Sequence, residues 1–208
     1  MGRSKSSNQW LQEHFNDEFV KQAQIQGFRS RAVFKLQEIQ QKDNVIRPGM
    51  NVVDLGAAPG AWLQYVKRLL KGQGRIVGLD ILPIEAIDGV HCVQGDFREE
   101  SVMAELSRVL ENIPVHVVLS DMAPNLTGNK AIDQPASIYL AELALEMAEA
   151  VLSPEGCFVV KVFQGEGFDD YKREVGQLFS KVLIRKPKAS RPRSNEVYIL
   201  GKGFKKHN

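Results

Sequence analysis

The sequence predicts an α/β fold in which helices cover both faces of a mostly parallel sheet. From residue 50 onward, short apolar runs alternate with segments whose apolar residues recur at helical spacing. Such alternation is typical of parallel sheets, because each crossover helix packs onto a face of the sheet. The last two apolar runs are joined only by "KASRPRS". This loop is too short for a parallel crossover, so the last strand is expected to be antiparallel.

The elements can be placed along the chain in order. Apolar spacing predicts two helices before residue 48, at about 16–27 and 31–42. Five strands follow, at 50–56, 75–81, 90–96, 115–121 and 156–163. Helical spacing also predicts helices over 62–70 and 138–152. The final hairpin pairs "KVLIRKP" (181–187) with "NEVYILGKG" (195–203).

Length and composition favour a single domain, 1–208, in which residues 1–47 form a helical N-terminal extension. The 208 residues are 43% apolar, which is enough for one core of ordinary size. No apolar run reaches the roughly 18 residues that a membrane span requires. Cys92 and Cys157 are not spaced as zinc ligands. We therefore expect a cytoplasmic monomer with no metal and no membrane partner.

Charge is distributed unevenly along the chain. The net charge of +2 is composed of +3 over residues 1–47, −9 over 48–180 and +8 over 181–208. Solubility requires only net charge, whereas positive charge at both ends of an acidic core suits a polyanionic partner such as a nucleic acid. On charge alone, a solvated basic tail explains the pattern equally well.

The first predicted strand ends in the glycine-containing loop "DLGAAPGAW". Gly56 and Gly60 allow the backbone to pass close to a ligand before the next helix begins. The loop lacks both the G-x-G-x-x-G pattern of dinucleotide binding and the Gly-Lys-Ser/Thr of phosphate loops. Asp54 precedes it, where a carboxylate repels a pyrophosphate and attracts a cation. A cationic ligand is therefore favoured over a nicotinamide dinucleotide, and a purely structural turn is the alternative.

Two further acids strengthen the ligand interpretation. Asp80 closes the second predicted strand and Asp96 closes the third, so both should lie at the edge of the sheet where ligands bind. A carboxylate at the position of Asp80 accepts both hydroxyls of an adenosine ribose. Asp96 can accept a hydrogen bond from an adenine amino group. With Asp54, these acids predict a nucleoside that carries a cation, and S-adenosylmethionine fits this description.

Five segments resemble a known family: "SRAVFKLQEI", "VVDLGAAPGAW", "SDMAPNLTG", "FVVKVFQGEG" and "RPRSNEVYILGKGFK". In this order they are similar to the FtsJ family of ribose 2′-O-methyltransferases, and more narrowly to bacterial members that act on 23S ribosomal RNA. The resemblance runs through nearly the whole chain. It implies a Rossmann-like S-adenosylmethionine-dependent methyltransferase fold with seven strands, the last antiparallel. It also implies methylation of a large-subunit uridine in the assembled 50S particle.

The same resemblance implies roles for individual residues. The catalytic Lys-Asp-Lys-Glu set would be Lys35, Asp121, Lys161 and Glu196. The cofactor-binding residues would be Gly60, Trp62 and Asp121, beside Asp54, Gly56, Asp80 and Asp96.

The residue pattern alone gives several of these positions a plainer interpretation. Lys35 falls on a charged helical face, which the pattern favours as solvated. Glu196 begins a hairpin strand, where a surface acid can discourage edge-to-edge aggregation. Trp62 fits as ordinary helix core. Only the resemblance promotes Lys35 and Glu196 to the catalytic set.

Lys161 is the one charge in the apolar run "GCFVVKVF" and lies near its carboxyl end. In the implied reaction it either removes the proton of the ribose hydroxyl or stays charged and orients the ribose. An ordinary lysine has a pKa of about 10.4, so a neutral amine at pH 7 costs about 4.6 kcal/mol. Burial reduces this cost and neighbouring carboxylates raise it. The sequence leaves both roles open.

Basic residues near the implied catalytic set predict an RNA substrate. They are Arg29 and Arg31 before Lys35, and Lys186, Lys188, Arg191 and Arg193 before Glu196. Because ribose methylation needs little base chemistry, we expect recognition through phosphates and shape. No separate RNA-binding domain is evident, so a folded ribosomal particle should be a better substrate than naked RNA.

Other functions compete with this prediction. A 2′-O-methyltransferase of transfer RNA or of the messenger cap would use the same chemistry, although a cap enzyme needs an additional cap-binding surface. A non-catalytic ribosome-assembly factor would bind RNA without methylating it, which the complete catalytic set argues against. A nicotinamide dehydrogenase is disfavoured by the glycine spacing.

Overall fold

The computed structural model describes residues 17–191 and 193–206, within which seven strands form one sheet. The helices are α1 (Glu18–Ile25), α2 (Val33–Asp43), α3 (Ala61–Leu70), α4 (Glu100–Val109), α5 (Lys130–Val151) and α6 (Phe168–Leu178). The strands are β1 (Val52–Leu55), β2 (Ile76–Asp80), β3 (His91–Gln94), β4 (Val115–Ser120), β5 (Leu152–Phe163), β6 (Phe179–Arg185) and β7 (Glu196–Phe204).

The strand order is β3-β2-β1-β4-β5-β7-β6. β7 pairs antiparallel with both β5 and β6, and the other neighbouring strands pair in parallel. The prediction of a mostly parallel sheet with an antiparallel last strand is therefore confirmed. The sequence predicted the β6–β7 hairpin, but it gave no sign that β7 would lie between β6 and β5.

Several element bounds differ from the prediction. α1 begins at Glu18, because the side chain of Asp17 accepts a hydrogen bond from the N–H of Phe19 and caps the helix. β5 begins at Leu152, ahead of the predicted start at 156, because Leu152 already pairs with Val115 before a register shift. α4 and α6 were not predicted. Residue 16, the predicted start of the first helix, lies outside the described residues.

The two faces of the sheet are covered by different helices. Helices α4, α5 and α6 pack on the face that receives Phe158 and Val160 of β5. Helices α2 and α3 pack on the opposite face, which receives Val159. Since side chains alternate along a strand, Lys161 shares the face of Val159. Its antiparallel partner Tyr198 lies on that face as well.

Contacts between the two basic ends of the chain hold α2 against the hairpin. Arg185 Nε and Nη2 donate to the two carboxylate oxygens of Asp43 at 2.8 and 2.6 Å. The Nζ of Lys202 donates to the main-chain oxygen of Asp43 at 2.6 Å. These bonds fix the end of α2 beside β6 and β7.

Of the helices in the described ranges, none combines the length and apolar character needed to cross a membrane.

Candidate active site

Lys161 and Asp121 meet where two neighbouring strands end. Asp121 directly follows β4, and Lys161 directly follows Val160, which pairs with the last residue of β4. Lys161 Nζ donates to the main-chain oxygen of Asp121 at 2.5 Å and lies 3.0 Å from Asp121 Oδ1. The lysine is 8% exposed. A buried ammonium requires such a partner, because an unpaired charge in the interior is strongly unfavourable.

Lys35 and Glu196 complete a connected set with this pair. Lys35 Nζ lies 2.8 Å from Glu196 Oε1 and 3.8 Å from Asp121 Oδ1. Its side chain is 14% exposed, so the interpretation of Lys35 as a solvated surface charge is wrong. The edge-strand interpretation of Glu196 is also wrong, because β7 lies between two other strands. Docking of α2 onto the sheet brings these two residues together.

Two residues of this cluster were not predicted from the sequence. The Tyr198 hydroxyl donates to Asp121 Oδ1 at 2.6 Å, and the Ser190 hydroxyl donates to Glu196 Oε1 at 2.7 Å. A signal for Tyr198 existed, because it stands two residues after Glu196 in a strand and therefore shares its face. Ser190 lies in an irregular loop and carries no comparable signal.

The charges of the cluster are mutually compensating. Burial raises the pKa of Asp121, but the cations Lys161 and Lys35 and the Tyr198 hydrogen bond outweigh it and hold that pKa below its ordinary value. Burial and the charges of Asp121 and Glu196 raise the pKa of Tyr198 well above its ordinary value. At neutral pH, Asp121 is therefore a carboxylate and Tyr198 a protonated donor.

A cavity of about 470 Å³ opens beside Asp121. Gly56, Asp80, Asp96 and Asp121 all line it, as predicted for a ligand site at this edge of the sheet. Its other walls are largely apolar and include Leu82, Met122, Tyr139 and Leu143. Its size and lining suit a small molecule that carries both apolar and polar groups.

Asp80 and Asp96 both line this cavity, but their carboxylates have different hydrogen-bond partners. Asp80 accepts the N–H groups of Ala58 and Leu82, at 2.8 and 2.9 Å, one on each carboxylate oxygen. These bonds fix its orientation and leave further lone pairs for a ligand. Asp96 is paired with Arg98, whose hydrogen bonds lower the pKa of that carboxyl. A ligand that uses Asp96 must share it with Arg98.

Gly56 lies where its conformation and its surroundings both require glycine. Its φ is +73°, and a Cβ at this position would lie 2.5 Å from Met122 Cγ. The bare backbone lets Met122, which follows Asp121, approach the glycine loop. Both residues line the cavity. A larger side chain here would push the two walls apart.

Three predicted cofactor contacts lie outside the cavity lining. Trp62 is 3% exposed, packs 5.9 Å from the Tyr198 ring and donates its indole N–H to the Ala32 oxygen. A Cβ on Gly60 would meet Arg29 Nη1 at 2.8 Å. Asp54 is 1% exposed, and neither carboxylate oxygen has a hydrogen-bond partner among the described residues. A cofactor role for these three remains a prediction.

The environment of Asp54 is unusual for an acid. Burial, together with the nearby charges of Asp121 and Asp80, raises the pKa of this carboxyl well above its ordinary value. The glycine loop is therefore preceded by a buried acid that is costly to ionise.

Several predicted RNA-binding cations are engaged within the chain. Arg29 Nη1 donates to the oxygens of Pro59 and Glu85, at 3.0 and 2.7 Å. Arg31 is paired with Asp17 and donates to the Ala189 oxygen. Lys186 donates to the oxygens of Ser194 and Glu196.

The other three predicted cations are exposed or line cavities. Lys188 is exposed, and Arg191 lines a cavity of about 240 Å³ together with Lys35 and Glu196. Arg193 lines a further cavity. RNA contact by any of the six cations remains a prediction.

In the described part of the chain, no group of three or more His, Cys, Asp or Glu side chains is arranged to hold a metal ion.

Comparison with known proteins agrees with this architecture. The chain is 55% identical over 205 residues to "Ribosomal RNA large subunit methyltransferase E" of Pseudomonas fluorescens, covering 99% of this chain and 98% of the relative. It is similar to the crystal structure of a putative ribosomal RNA methyltransferase from Plasmodium falciparum, with a TM-score of 0.77 and 29% identity over 85% of this chain and 98% of that one.

A more distant structure shares the fold alone. Human methyltransferase-like protein 13, solved in complex with SAH, matches with a TM-score of 0.57 and 15% identity, over 85% of this chain and 80% of that one. These neighbours have the Rossmann-like methyltransferase fold that the resemblance implied, which confirms the predicted fold class. The model of the FtsJ-like methyltransferases matches residues 28–204. The chain belongs to the family of FtsJ-like methyltransferases.

Proposed function

We propose that the protein transfers a methyl group from S-adenosylmethionine to the 2′-hydroxyl of a ribose in large-subunit ribosomal RNA, at a uridine of the assembled 50S particle. The observation that carries the proposal is the convergence of Lys35, Asp121, Lys161 and Glu196 beside the acid-lined cavity. The name of the relative from Pseudomonas fluorescens supports ribosomal RNA as the substrate.

The cavity residues suit S-adenosylmethionine. The orientation of the Asp80 carboxylate, which two main-chain N–H groups fix, supports a role in accepting the ribose hydroxyls of the adenosine. Apolar walls including Leu82 and Tyr139 suit the adenine ring. The negative charge of Asp80, which forms no ion pair within the described residues, favours a cation in the same space. When bound, S-adenosylmethionine supplies an electrophilic methyl group on a positively charged sulfur.

The chain's own contribution is to position the nucleophilic oxygen and to manage one proton. Lys161 Nζ already donates twice to Asp121. An ammonium has one further N–H to donate, whereas a neutral amine has one lone pair to accept with. In either form, one free position on Nζ remains for the ribose hydroxyl. Asp121 and Glu196 orient the two lysines around it, and Lys35 holds the hydroxyl or the adjoining phosphate.

Mapping of 2′-O-methylation tests the proposal directly. Ribosomal RNA from cells with and without the protein should differ at one large-subunit uridine. Purified protein and labelled S-adenosylmethionine should then restore that methyl group on 50S particles from the deficient cells, and Lys161→Ala should not. Methylation of a base, or restoration only on transfer RNA, would contradict the proposal. Equal rates on particles and on deproteinised RNA would contradict the requirement for an assembled particle.

A further inference from the structure

Two cavities are lined by members of the Lys-Asp-Lys-Glu set, and a third adjoins one of them. The first, of about 470 Å³, is lined by Asp121 and is the proposed methyl-donor site. The second, of about 240 Å³, is lined by Lys35, Glu196 and Arg191. The third, of about 640 Å³, is lined by Phe163 of β5 and by Asn195, which precedes Glu196. Ser194 lines both the second and the third, so these two adjoin each other.

The third cavity begins where the catalytic strands end. Phe163 pairs directly with Glu196, and Lys161 pairs with Tyr198, so all four side chains lie on one face of the sheet. Beyond this pair, the N–H of Gln164 donates to the Asn195 oxygen at 2.9 Å. The side chain of Gln134 donates to the main-chain oxygens of Phe163 and Glu166, at 3.0 and 2.9 Å. These bonds fix the segment after β5 beside the residue that precedes β7, both of which line the third cavity.

The covalent structure of a nucleotide suggests which of its groups each cavity could hold. In a ribose whose 2′-oxygen faces Lys161, the base is attached at the neighbouring carbon on one side and a phosphate on the other. The second cavity is the smallest and presents the cations of Lys35 and Arg191, which suits the phosphate. The first cavity is taken by the methyl donor. The third cavity remains for the base.

The lining of the third cavity suits a nucleobase. Leu126 presents an apolar side chain that is 64% exposed, beside the half-buried ring of Phe163. Gln164 and Asn195 are exposed, and within residues 17–191 and 193–206 neither side-chain amide forms a hydrogen bond. Each amide offers both donors and an acceptor, which is the complement that a base edge requires. Apolar groups and free amides together are typical of sites that hold an unstacked base.

We propose that this third cavity binds the base of the nucleotide being methylated, with Gln164 and Asn195 contacting its edge and Leu126 covering one of its planes. The inference rests on the proposed function, since it takes the ribose at Lys161 as its starting point. The proposed function has the protein recognise RNA through its phosphates and shape, and the inference adds selection of the base. The target nucleotide would have to be unstacked from its neighbours to enter the cavity.

The test compares base discrimination in the wild type and in the double variant Gln164→Ala/Asn195→Ala. Particles from deficient cells, carrying either uridine or cytidine at the mapped position, are methylated by the purified protein. The wild type should prefer one base by about tenfold or more, since each good polar contact pair to a base contributes about 1–3 kcal/mol of discrimination. The double variant should lower kcat/KM on the preferred base and bring the ratio near one. Gln177→Ala, an exposed amide on α6, is the matched control.

The possible outcomes separate this inference from the proposed function. Equal wild-type rates on both bases, or a ratio that the double variant leaves unchanged, would overturn the base pocket while ribose methylation stands. Absence of any ribose methylation by the wild type would instead overturn the proposed function. Binding of S-adenosylmethionine and the melting temperature should be the same in the wild type and the variant. Unequal values would assign the activity loss to misfolding, and the inference would then be tested with the single variants Gln164→Ala and Asn195→Ala by the same ratio.

Discussion

The Tyr198 hydroxyl donates its hydrogen bond to Asp121 Oδ1, the oxygen that Lys161 approaches to 3.0 Å and Lys35 to 3.8 Å. Two hydrogen-bond donors and the charge of Lys35 thus converge on one carboxylate oxygen. Tyr198 is itself fully buried and packs against Trp62. The neutral phenol therefore fixes the orientation of the acid between the two lysines.

Tyr198→Phe should lower kcat by about tenfold, since a tenfold loss corresponds to ~1.4 kcal/mol of transition-state stabilisation. Affinity for S-adenosylmethionine should change little, because the phenol does not line the donor cavity. Tyr65→Phe is the matched control, since in the described residues the Tyr65 hydroxyl has no hydrogen bond. Single-turnover methylation of particles measures the effect. Unchanged kcat in Tyr198→Phe would contradict the orienting role.

Lys161→Ala should reduce the methylation rate by at least about 100-fold, the lower range for loss of an acid-base group. Lys161→Arg separates the two roles, because arginine keeps a cation and does not release a proton near neutrality. An orienting role predicts partial activity in Lys161→Arg and a similar pH–rate profile. A base role predicts no activity and the loss of one ionisation from the profile. Lys172→Ala, on the exposed side of α6, should behave as the wild type.

Ser190→Ala removes the hydrogen bond to Glu196 Oε1, the oxygen that also accepts from Lys35. We expect kcat to fall by about three- to tenfold, which corresponds to the roughly 0.5–1.5 kcal/mol of a typical hydrogen bond. If Ser190 acts through Glu196, its effect should vanish in a Glu196→Ala background, where the acceptor is absent, as a double-mutant cycle would measure. Ser180→Ala is the control, because it loses a hydroxyl hydrogen bond to Gly203 far from the site. Additive effects would contradict the positioning role.

Asp80→Asn should weaken S-adenosylmethionine binding by about 10- to 100-fold, since hydrogen bonds to a charged group contribute about 1.5–3 kcal/mol. Titration calorimetry measures the Kd. Asp88→Asn is the control, because Asp88 is a fully exposed acid paired with Lys67. An unchanged Kd in Asp80→Asn would place the ribose of the donor elsewhere.

Asp54→Asn should stabilise the protein at neutral pH by about 1.4 kcal/mol or more, the equivalent of a tenfold shift in the ionisation equilibrium, because an amide cannot ionise at a site where burial opposes the charge. The folded-state pKa of Asp54 is raised, so the folded chain holds a proton that the unfolded chain releases. Wild-type stability therefore falls as pH rises above the unfolded pKa of about 3.9, and the advantage of the variant should grow over the same range. Thermal melts from pH 4 to pH 8 measure it. If the difference in stability between the variant and the wild type did not change from pH 4 to pH 8, Asp54 would be ionised in the folded protein.

Much of the fold follows from local patterns, whereas part of the site does not. The short loop before β7 predicts an antiparallel strand, and acids at strand ends predict the ligand edge. Lys161 and Asp121 were found by the same reasoning. Lys35 was not, because its helical face is charged, and contacts between residues distant in sequence, such as those of Asp43 with Arg185 and Lys202, hold that helix against the sheet. Ser190 depends on a loop whose path no periodicity encodes.

The position of β7 has a consequence for biosynthesis. β7 lies inside the sheet, yet it follows every other described strand and helix along the chain. It brings both Glu196 and Tyr198 to the reaction centre. A nascent chain that has left the exit tunnel only as far as β6 can fold its earlier parallel strands, as N-terminal segments generally fold first. It still lacks Tyr198 and Glu196, which hold Asp121 and Lys35 in place, so methylation activity should appear only when translation of the last strand is complete.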